Sequence, residues 1–531
     1  MTKRTERMPL GLLWVICEVA VWGLAMGYIQ LLFSPLNQVF LFWTRLDALL
    51  LAVLLFSQGT VIWGLTLLLR RWVRGRWRDI LPCLFFFWAV LVVANWFPSG
   101  RLVLVRHAPW LTGTRYYLLL WSVGLAVSAA VASTSAGRRF SRLAWHALAY
   151  AWMLPPVLAA ALFFFSPARP PTSQPLSGLP RRPDAAGDAP APVLLVVLDM
   201  IADSEVVDAN GTVGEDLPHL RAFAAASTYC SRTSAPGLQT AESMPGICLQ
   251  FPVGIPHVDS GGQVSWPVKD SDSCTPRITP EDCPEAPTRV VRLAGGRSVI
   301  CSEYLPWADW FTGEWAWDAA CTHCYYGAAP VGSGGWRTVL GRLILVADQW
   351  AAASKTPQAG AIKALRLLLP FSRVHYASVA LHIQEEGASF LRRSFSPGDF
   401  AILHQPLPHP PFVFDENGGF HPLLPETAAS YRQQLRYADV LFGRWMDDLR
   451  ASGLWDASWV LVTSDHGLHD VSWSSNPDRH DKSHVPLWIK APGQVSPSVL
   501  EQPVHLEALG ELPFSIWPFP HRKGDAPNDL E

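Results

Sequence analysis

The chain has 531 residues, enough for more than one domain, and only 16% of them are charged, against about 25% in a typical soluble protein. Its formal net charge of −2 gives no electrostatic reason to expect nucleic-acid binding. The deficit of charge falls before about residue 165, where long apolar runs dominate, whereas the sequence after about residue 193 is typical of a soluble globular domain.

Five apolar segments approach the length of about 20 residues that a membrane-spanning helix requires. They cover residues 9–33, 47–69, 80–97, 116–133 and 143–165. Lys and Arg are concentrated before the first segment, after the second and after the fourth, which predicts that these alternate connections are cytoplasmic. Five crossings would place all residues after 165 on the periplasmic, or extracytoplasmic, side of an inner (cytoplasmic) membrane, with the first segment too long to be a cleaved signal peptide.

The remainder of the chain alternates strand-like and helix-like segments after a linker at 166–192 that is rich in Pro, Ala, Gly and Ser. This alternation predicts an α/β domain with a mostly parallel central sheet. We therefore expect a transmembrane helical domain at 1–165 and an extracytoplasmic domain at 193–531. The predicted strands are 193–198, 294–304, 400–403 and 459–462, and the predicted helices are 217–226, 337–369 and 430–452.

Polar side chains follow three of these predicted strands. Asp199 comes directly after the first strand, Asp465 and His466 follow the last, and His409 lies shortly after 400–403. Ligands of parallel α/β sheets gather at the carboxyl ends of the strands, so these residues are candidates for one site. A mixture of carboxylate and imidazole ligands suits a divalent metal ion, Zn or Mn in preference to calcium.

Seven cysteines lie after residue 193, where an oxidising compartment would permit disulfides. The segment Cys321-Thr-His-Cys324 is compatible with zinc or redox chemistry, but no second such pair exists to complete a zinc site. We therefore expect a structural disulfide in preference to a metal or redox site, while the connectivity of the seven cysteines stays open and one of them is left over.

Three further motifs follow one another along the chain. They are Thr240-Ala-Glu-Ser-Met-Pro245, His409-Pro-Pro-Phe412 and Ser464-Asp-His-Gly467. With them, the chain from about 193 to 493 resembles the alkaline phosphatase superfamily, and within it the membrane-anchored sulfatase-like branch that contains lipoteichoic acid synthases and lipid A phosphoethanolamine transferases. The resemblance implies an alkaline-phosphatase-like catalytic domain behind a bundle of about five transmembrane helices.

The resemblance also implies roles for individual residues. Thr240 would be the catalytic nucleophile at a helix start, and would bind the metal together with Asp199, Asp465 and His466. Asp199 stands where many members have glutamate. His409 would contact the substrate phosphate. A further substrate-binding histidine is expected after the Asp–His pair, and among His469, His480 and His484 the sequence favours His480.

The chemistry of threonine explains why a metal is expected. Its hydroxyl is a weak nucleophile at neutral pH, and coordination to a dication lowers the pKa of a hydroxyl as it does that of water. A covalent intermediate on Thr240 would divide one difficult transfer into two steps. Sulfatases of this superfamily instead convert Cys or Ser to formylglycine, and threonine cannot give that aldehyde.

We therefore expect a metal-dependent phosphoryl or phospho-alcohol transferase or hydrolase. Its partners would be the membrane and a phospholipid or envelope glycan substrate, and no nucleic acid. The alternatives are a non-catalytic envelope binding or assembly protein that uses the sulfatase-like fold, and a sulfate-ester hydrolase, which Thr240 disfavours. A transporter is disfavoured because about five spans without an internal repeat are not typical of that class.

Overall fold

A sheet of eight strands lies at the centre of the computed structural model. The model describes residues 189–208, 211–258, 264–269, 277–303, 307–323 and 371–513, together with a few short pieces outside these ranges. Of the five predicted membrane segments, only 126–131 and 133, in the fourth, belong to this described part, and they are helical. Within the described part, no helix is both long and apolar enough to cross a membrane. The helix predicted at 337–369 lies outside the described residues.

The strands and helices alternate along the chain as the sequence predicts. The strands are β1 Val193–Leu198, β2 Thr228–Cys230, β3 Thr233–Ser234, β4 His257–Val258, β5 Val264–Pro267, β6 Arg277–Ile278, β7 Arg297–Glu303, β8 Ala319–His323, β9 Asp399–Gln405, β10 Trp459–Thr463, β11 Leu487–Lys490, β12 Ser498–Leu500 and β13 Val504–His505. The helices are α1 Asp203–Val206, α2 Pro218–Ala224, α3 Thr240–Leu249, α4 Pro287–Leu293, α5 Trp307–Trp310, α6 Phe371–Arg393 and α7 Ala428–Ala451.

The strands of the main sheet are ordered β12-β2-β11-β10-β1-β9-β7-β8. Neighbours from β10 to β8 are all parallel, and β11 runs against both of its neighbours, so the sheet is mostly parallel as predicted. Because parallel strands end at the same edge, the carboxyl ends of β10, β1, β9 and β7 lie side by side.

Helices cover both faces of this sheet, which explains why β1 is an unbroken apolar run. The even-numbered residues of β1, from Leu194 to Leu198, pack into a core with α2, α6 and α7. The odd-numbered residues, from Val193 to Val197, pack into a second core with α3, α4 and α5. All six residues are almost fully buried, and each such side chain contributes about 1.5–3 kcal/mol through burial.

Two caps fix helices of the first face. Thr427, at the N-cap of α7, accepts a hydrogen bond from the backbone N–H of Ser430. Asp439, in the middle of α7, accepts hydrogen bonds from the N–H groups of His219 and Leu220 in the first turn of α2. The amphipathic pattern that predicts 430–452 therefore gives a helix of nearly those bounds, tied to its neighbour by a buried carboxylate.

The expectation of a disulfide in the segment 321–324 stays a prediction, because Cys324 lies outside the described residues. Cys230, Cys248 and Cys301 are buried thiols, so the structure places none of these three in a disulfide. Cys321 belongs to β8. The residue that lies opposite Cys321 in register is Cys301 of β7.

Candidate metal and nucleophile site

The turn after β1 joins the ends of two central strands. The N–H of Met200 donates to Asp465 Oδ1 at 3.3 Å, and the N–H of Ile201 donates to Ser464 Oγ at 2.8 Å. Met200 has φ +66°, in the left-handed region that residues with a side chain rarely adopt. Its carbonyl accepts from the hydroxyl of Tyr431 on α7, and these contacts hold the unusual backbone in place. The turn thereby sets Asp199 beside Asp465.

Asp465 and His466, which follow β10, direct ligand atoms towards Asp199. Asp465 Oδ1 is occupied by two backbone N–H groups, whereas Oδ2 is buried without a hydrogen-bond partner. His466 Nδ1 lies 2.9 Å from the carbonyl of Gly467, which only accepts, so Nδ1 carries the proton and Nε2 the lone pair. The backbone at 481–482 packs so closely against residue 467 that this residue must be glycine. A Cβ there would lie 3.0 Å from the backbone carbonyl oxygens of Asp481 and Lys482.

Thr240 is the first residue of α3, after Gln239 in an extended conformation. It is 2% exposed, and its Oγ1 lies 3.3 Å from His466 Nε2. The same Nε2 is 3.4 Å from Asp199 Oδ1 and 3.6 Å from Asp465 Oδ2. The structure therefore brings together the four residues that the sequence selects, around the positive end of the ten-residue helix α3.

Among the side chains described so far, several carboxylate oxygens and nitrogen lone pairs share this buried volume with a single donor, the hydroxyl of Thr240. Neither carboxylate oxygen of Asp199 has a hydrogen-bond partner. Burial, followed by the charges of Asp465 and Glu303, raises the pKa of Asp199 well above its usual range. Burial raises that of Asp465 too, but His466 and His404 outweigh it and hold the pKa of Asp465 below its usual value. Such a set of acceptors fits a divalent cation, which would satisfy all of them at once.

Two residues of the site escaped the sequence analysis. His404, to which the sequence assigned no role, is the next-to-last residue of β9, and Glu303 is the last residue of β7. Ligand atoms of Asp199, His404 and Asp465 all lie within 4.8 Å of one another, as for a metal site. The signal was present: the strands read Cys-Ser-Glu and Leu-His-Gln at their ends, where polar residues interrupt buried apolar runs.

The structure also distinguishes among the other histidines. His469, not the favoured His480, lies against the Asp–His pair, with its ring 4.5 Å from that of His466. The ring of His409 is 6.3 Å from that of His466 and 5.7 Å from that of His469. His480 follows a short turn, Pro477–Arg479, and both of its ring nitrogens are buried without a hydrogen-bond partner.

The tautomer of His409 constrains its chemistry. Its Nδ1 lies 2.6 Å from the carbonyl of Pro410 and must donate, which leaves the Nε2 lone pair for the site. Burial, with the charges of His466 and His469, lowers the pKa of His409 to about 3. Neutral His409 can therefore accept a hydrogen bond at Nε2 but cannot donate one from it, and its low pKa makes it a poor proton acceptor.

A single buried amide holds the loop that carries His409. Gln434 of α7 accepts from the N–H groups of Val413 and Phe414 and donates to the carbonyls of Pro408 and His409. The hydroxyl of Tyr376 adds a donor to the carbonyl of His409. The loop is therefore fixed from α6 and α7, the two long helices of one face.

Comparisons with known proteins give one family match and several similar structures. Residues 347–510 match the Sulfatase family model. No curated protein matches the chain in sequence. Similar solved structures include the lipoteichoic acid synthase LtaP from Listeria monocytogenes, with 14% identity over 62% of this chain and 74% of that one and a TM-score of 0.35. Others are the phosphonate monoester hydrolase of Agrobacterium radiobacter (15% identity, 60% and 72% covered, TM-score 0.35) and a 2-O GAG sulfatase (10%, 60% and 68%, TM-score 0.37).

The family match reaches across β9, α7, β10 and β11, and so includes the strand ends that carry His404, Asp465 and His466. The threonine at a helix start and the acid after β1 complete the expected arrangement in the part of the sheet that precedes the match. The part of the chain that carries His404, Asp465 and His466 therefore resembles the Sulfatase family.

Proposed function

We propose that the chain transfers or hydrolyses a phosphoryl or phospho-alcohol group, with Thr240 as the nucleophile. The observation that carries this proposal is the convergence of Thr240 Oγ1 and the unpartnered oxygens of Asp199 and Asp465 on His466 Nε2. Burial of these carboxylate oxygens is unfavourable as packing, because it removes acceptors from water while Thr240 offers only one O–H donor.

Asp199, Asp465, His466 and Thr240 would hold a zinc or manganese ion in this proposal. Bound there, the ion lowers the pKa of the Thr240 hydroxyl and offsets the charge of the carboxylates. The chain's own residues do the rest. The side chains of Asp465 and His466 are locked by backbone hydrogen bonds, and the helix α3 directs its positive end towards an anionic group at Thr240.

Two displacements at phosphorus complete the cycle. In the first, the bond from Thr240 Oγ to phosphorus forms, the bond to the leaving alcohol breaks, and the threonine proton ends on that alcohol. In the second, an acceptor hydroxyl or water donates a hydrogen bond to Nε2 of His409 and attacks the phosphothreonine. The bond from phosphorus to the threonine oxygen breaks, and the proton of the attacking group ends on Thr240.

We extend the proposal to a lipid or envelope glycan as substrate and to an inner-membrane location with the catalytic domain outside the cytoplasm. What supports this extension is the set of five apolar segments before residue 165 and their Lys and Arg pattern. A sulfate ester is a weaker candidate, because threonine cannot supply the aldehyde on which sulfatases of this superfamily depend.

The decisive experiment traps the intermediate. The purified full-length chain is mixed with phospholipids bearing different head groups, quenched in acid and digested. The mass of the peptide that contains Thr240 is then measured by mass spectrometry. A mass increase on that peptide identifies the transferred group. Thr240→Ala should abolish both the adduct and turnover. Thr288→Val is the matched control, because Thr288 is equally buried, lies on α4 and its hydroxyl has no partner.

Two results would overturn the proposal. One is a Thr240→Ala variant that turns over a phosphodiester at the wild-type rate. The other is a wild-type chain that turns over substrate while every adduct maps to a residue other than Thr240.

A further inference from the structure

The chain after Gly467 makes a loop that starts and ends at the candidate site. The N–H of Gly467 donates to the carbonyl of Lys482 at 2.9 Å, and this bond closes the loop, which we define as residues 468–481. The loop consists of two short helical turns, Val471–Trp473 and Pro477–Arg479, joined by irregular segments. Because these turns are too short to fix its path, contacts from elsewhere in the domain must set the position of the loop.

The 468–481 loop lies against residues that line the site. The ring of His469 is 4.5 Å from that of His466 and 5.7 Å from that of His409. Trp473 packs edge-to-face on Phe412, with the ring centroids 5.4 Å apart. The loop therefore forms one wall of the candidate site, between the Asp–His pair and the segment that carries His409.

A buried glutamate holds the far side of this loop. Glu205 of α1 is 4% exposed. Its Oε1 accepts from the hydroxyl of Ser474 at 2.5 Å and from the N–H of Ser475 at 3.1 Å, and its Oε2 accepts from the hydroxyl of Ser475 at 2.6 Å. The side-chain amide of Asn476 donates to the carbonyl of Ser204, the residue before Glu205. Residues 474–476 are thus all bonded to α1.

The helix α1 is itself fixed to the turn that positions the site. The N–H of Ile201, two residues before α1, donates to Ser464 Oγ. The guanidinium of Arg432 on α7 donates to the carbonyl of Glu205. Hydrogen bonds to a carboxylate are stronger than those to a neutral acceptor, and a buried carboxylate is unfavourable unless its oxygens are bonded. Glu205 is therefore favourable in its buried position only while the loop is in place.

We propose that Glu205 is a positioning residue, which latches the 468–481 loop so that His469 faces the group bound at Thr240. Glu205 acts through the loop, since its side-chain hydrogen bonds go to Ser474 and Ser475. A misplacement of about 1 Å can lower a catalytic rate about 100-fold, so release of the latch has a measurable consequence. The inference rests on the proposed function for the group at Thr240, but the latch itself is testable without a substrate.

Hydrogen exchange of the purified full-length chain tests the latch. In Glu205→Ala, amides of peptides from 468–481 should exchange about 10–100-fold faster, while those of β1 and β10 should keep their wild-type rates. Glu205→Gln can still accept at Oε1 and can donate to the hydroxyl of Ser475, so it should restore most of the protection. Ser475→Ala, which keeps the glutamate and removes one donor, should give a smaller increase in the same peptides.

Asp439→Asn is the matched control for exchange. Asp439 is also a buried carboxylate that accepts from backbone N–H groups, but it ties α2 to α7. Its replacement should leave the exchange of the 468–481 loop unchanged. An unchanged loop in both Glu205→Ala and Ser475→Ala, or an equal rise in exchange throughout the domain, would contradict the inference.

Turnover of a chromogenic phosphodiester, bis(4-nitrophenyl) phosphate, separates positioning from general stability. Glu205→Ala should lower kcat/KM about 10–100-fold in the wild-type background and should add no loss in a His469→Ala background, because a residue that acts through His469 has no effect once that imidazole is gone. Additive losses in the double variant would refute the role of Glu205 in positioning His469. A Thr240→Ala variant that is fully active on this probe would instead refute the proposed function, and the exchange result would still decide the latch.

Discussion

The buried carboxyl of Glu303 makes the metal-free domain pH-sensitive, and replacing it with glutamine should remove that sensitivity. Burial, then the charge of Asp465, raises the pKa of Glu303 from 4.5 to about 8, despite an opposing hydrogen bond from Asp199. Because the folded state holds this proton more tightly than the unfolded state, stability is complete below the unfolded pKa and is lost as the pH rises towards the folded value. Glu303→Gln keeps the shape of the protonated acid and cannot ionise.

The size of the effect follows from the window between the two pKa values. At about pH 7 an unfolded Glu303 is ionised and a folded one is still protonated, so folding costs roughly 3 kcal/mol more than at about pH 4. Without metal, Glu303→Gln should therefore be more stable than the wild type by roughly 3 kcal/mol at about pH 7, and nearly equal to it at about pH 4.

Amide hydrogen exchange of peptides that cover β1 and β9 measures this difference within the full chain. After correction for the intrinsic rate at each pH, roughly 3 kcal/mol corresponds to about 100-fold slower exchange in the variant. A metal-free wild type whose β1 protection does not fall between about pH 4 and pH 8 would refute the reasoning. So would a Glu303→Gln variant that is less stable than the wild type without metal.

Three other substitutions test the supports of the site. Gln434→Leu should destabilise the domain by about 2–4 kcal/mol and slow turnover, whereas Gln434→Glu, which retains only the acceptor, should lose only the contacts to the carbonyls of Pro408 and His409; chemical denaturation and rate measurements compare them. Arg297→Met should cost about 3–5 kcal/mol, because it leaves Asp399 as an unpaired buried charge, and Asp399→Asn in the same chain should recover part of that loss in the unfolding midpoint. Thr427→Ala should cost about 1 kcal/mol in thermal unfolding without changing turnover, and Thr427→Ser should cost less.

The sequence predicted the central fold because its signals are local. The continuous apolar runs at Val193–Leu198 and Trp459–Thr463 can only be strands covered on both faces, and both strands occur at nearly the predicted bounds. The helix pattern at 430–452 was equally clear. The order of the strands was not predictable in this way, because it depends on which crossover packs where. For the same reason, the neighbour relation between β7 and β9 came only from the structure.

The residues of the site also differ in whether a local sequence signal reveals them. Asp199 and Asp465 follow their strands as isolated acids before turns, so a reader of the sequence finds them. Glu303 and His404 are still within their strands, and only the pairing of β7 with β9 and of β9 with β1 shows that they lie beside Asp199. The choice of His469 over His480 likewise depended on the path of the loop after Gly467, which no local pattern encodes.

The cost of this cluster is itself an argument against a purely structural role. Four adjacent parallel strands deliver three carboxylates and two imidazoles to one dry edge, where an unpaired ionised group is penalised by several kcal/mol. A binding module built on this fold would be more stable with amides or apolar residues at the same positions. The repulsion turns into attraction only when a divalent cation occupies the cluster, so a site that is unfavourable when empty and favourable when filled is what a metal-dependent enzyme requires. Metal-free and metal-bound stability, measured on the same chain, therefore separate the two roles before any substrate is known.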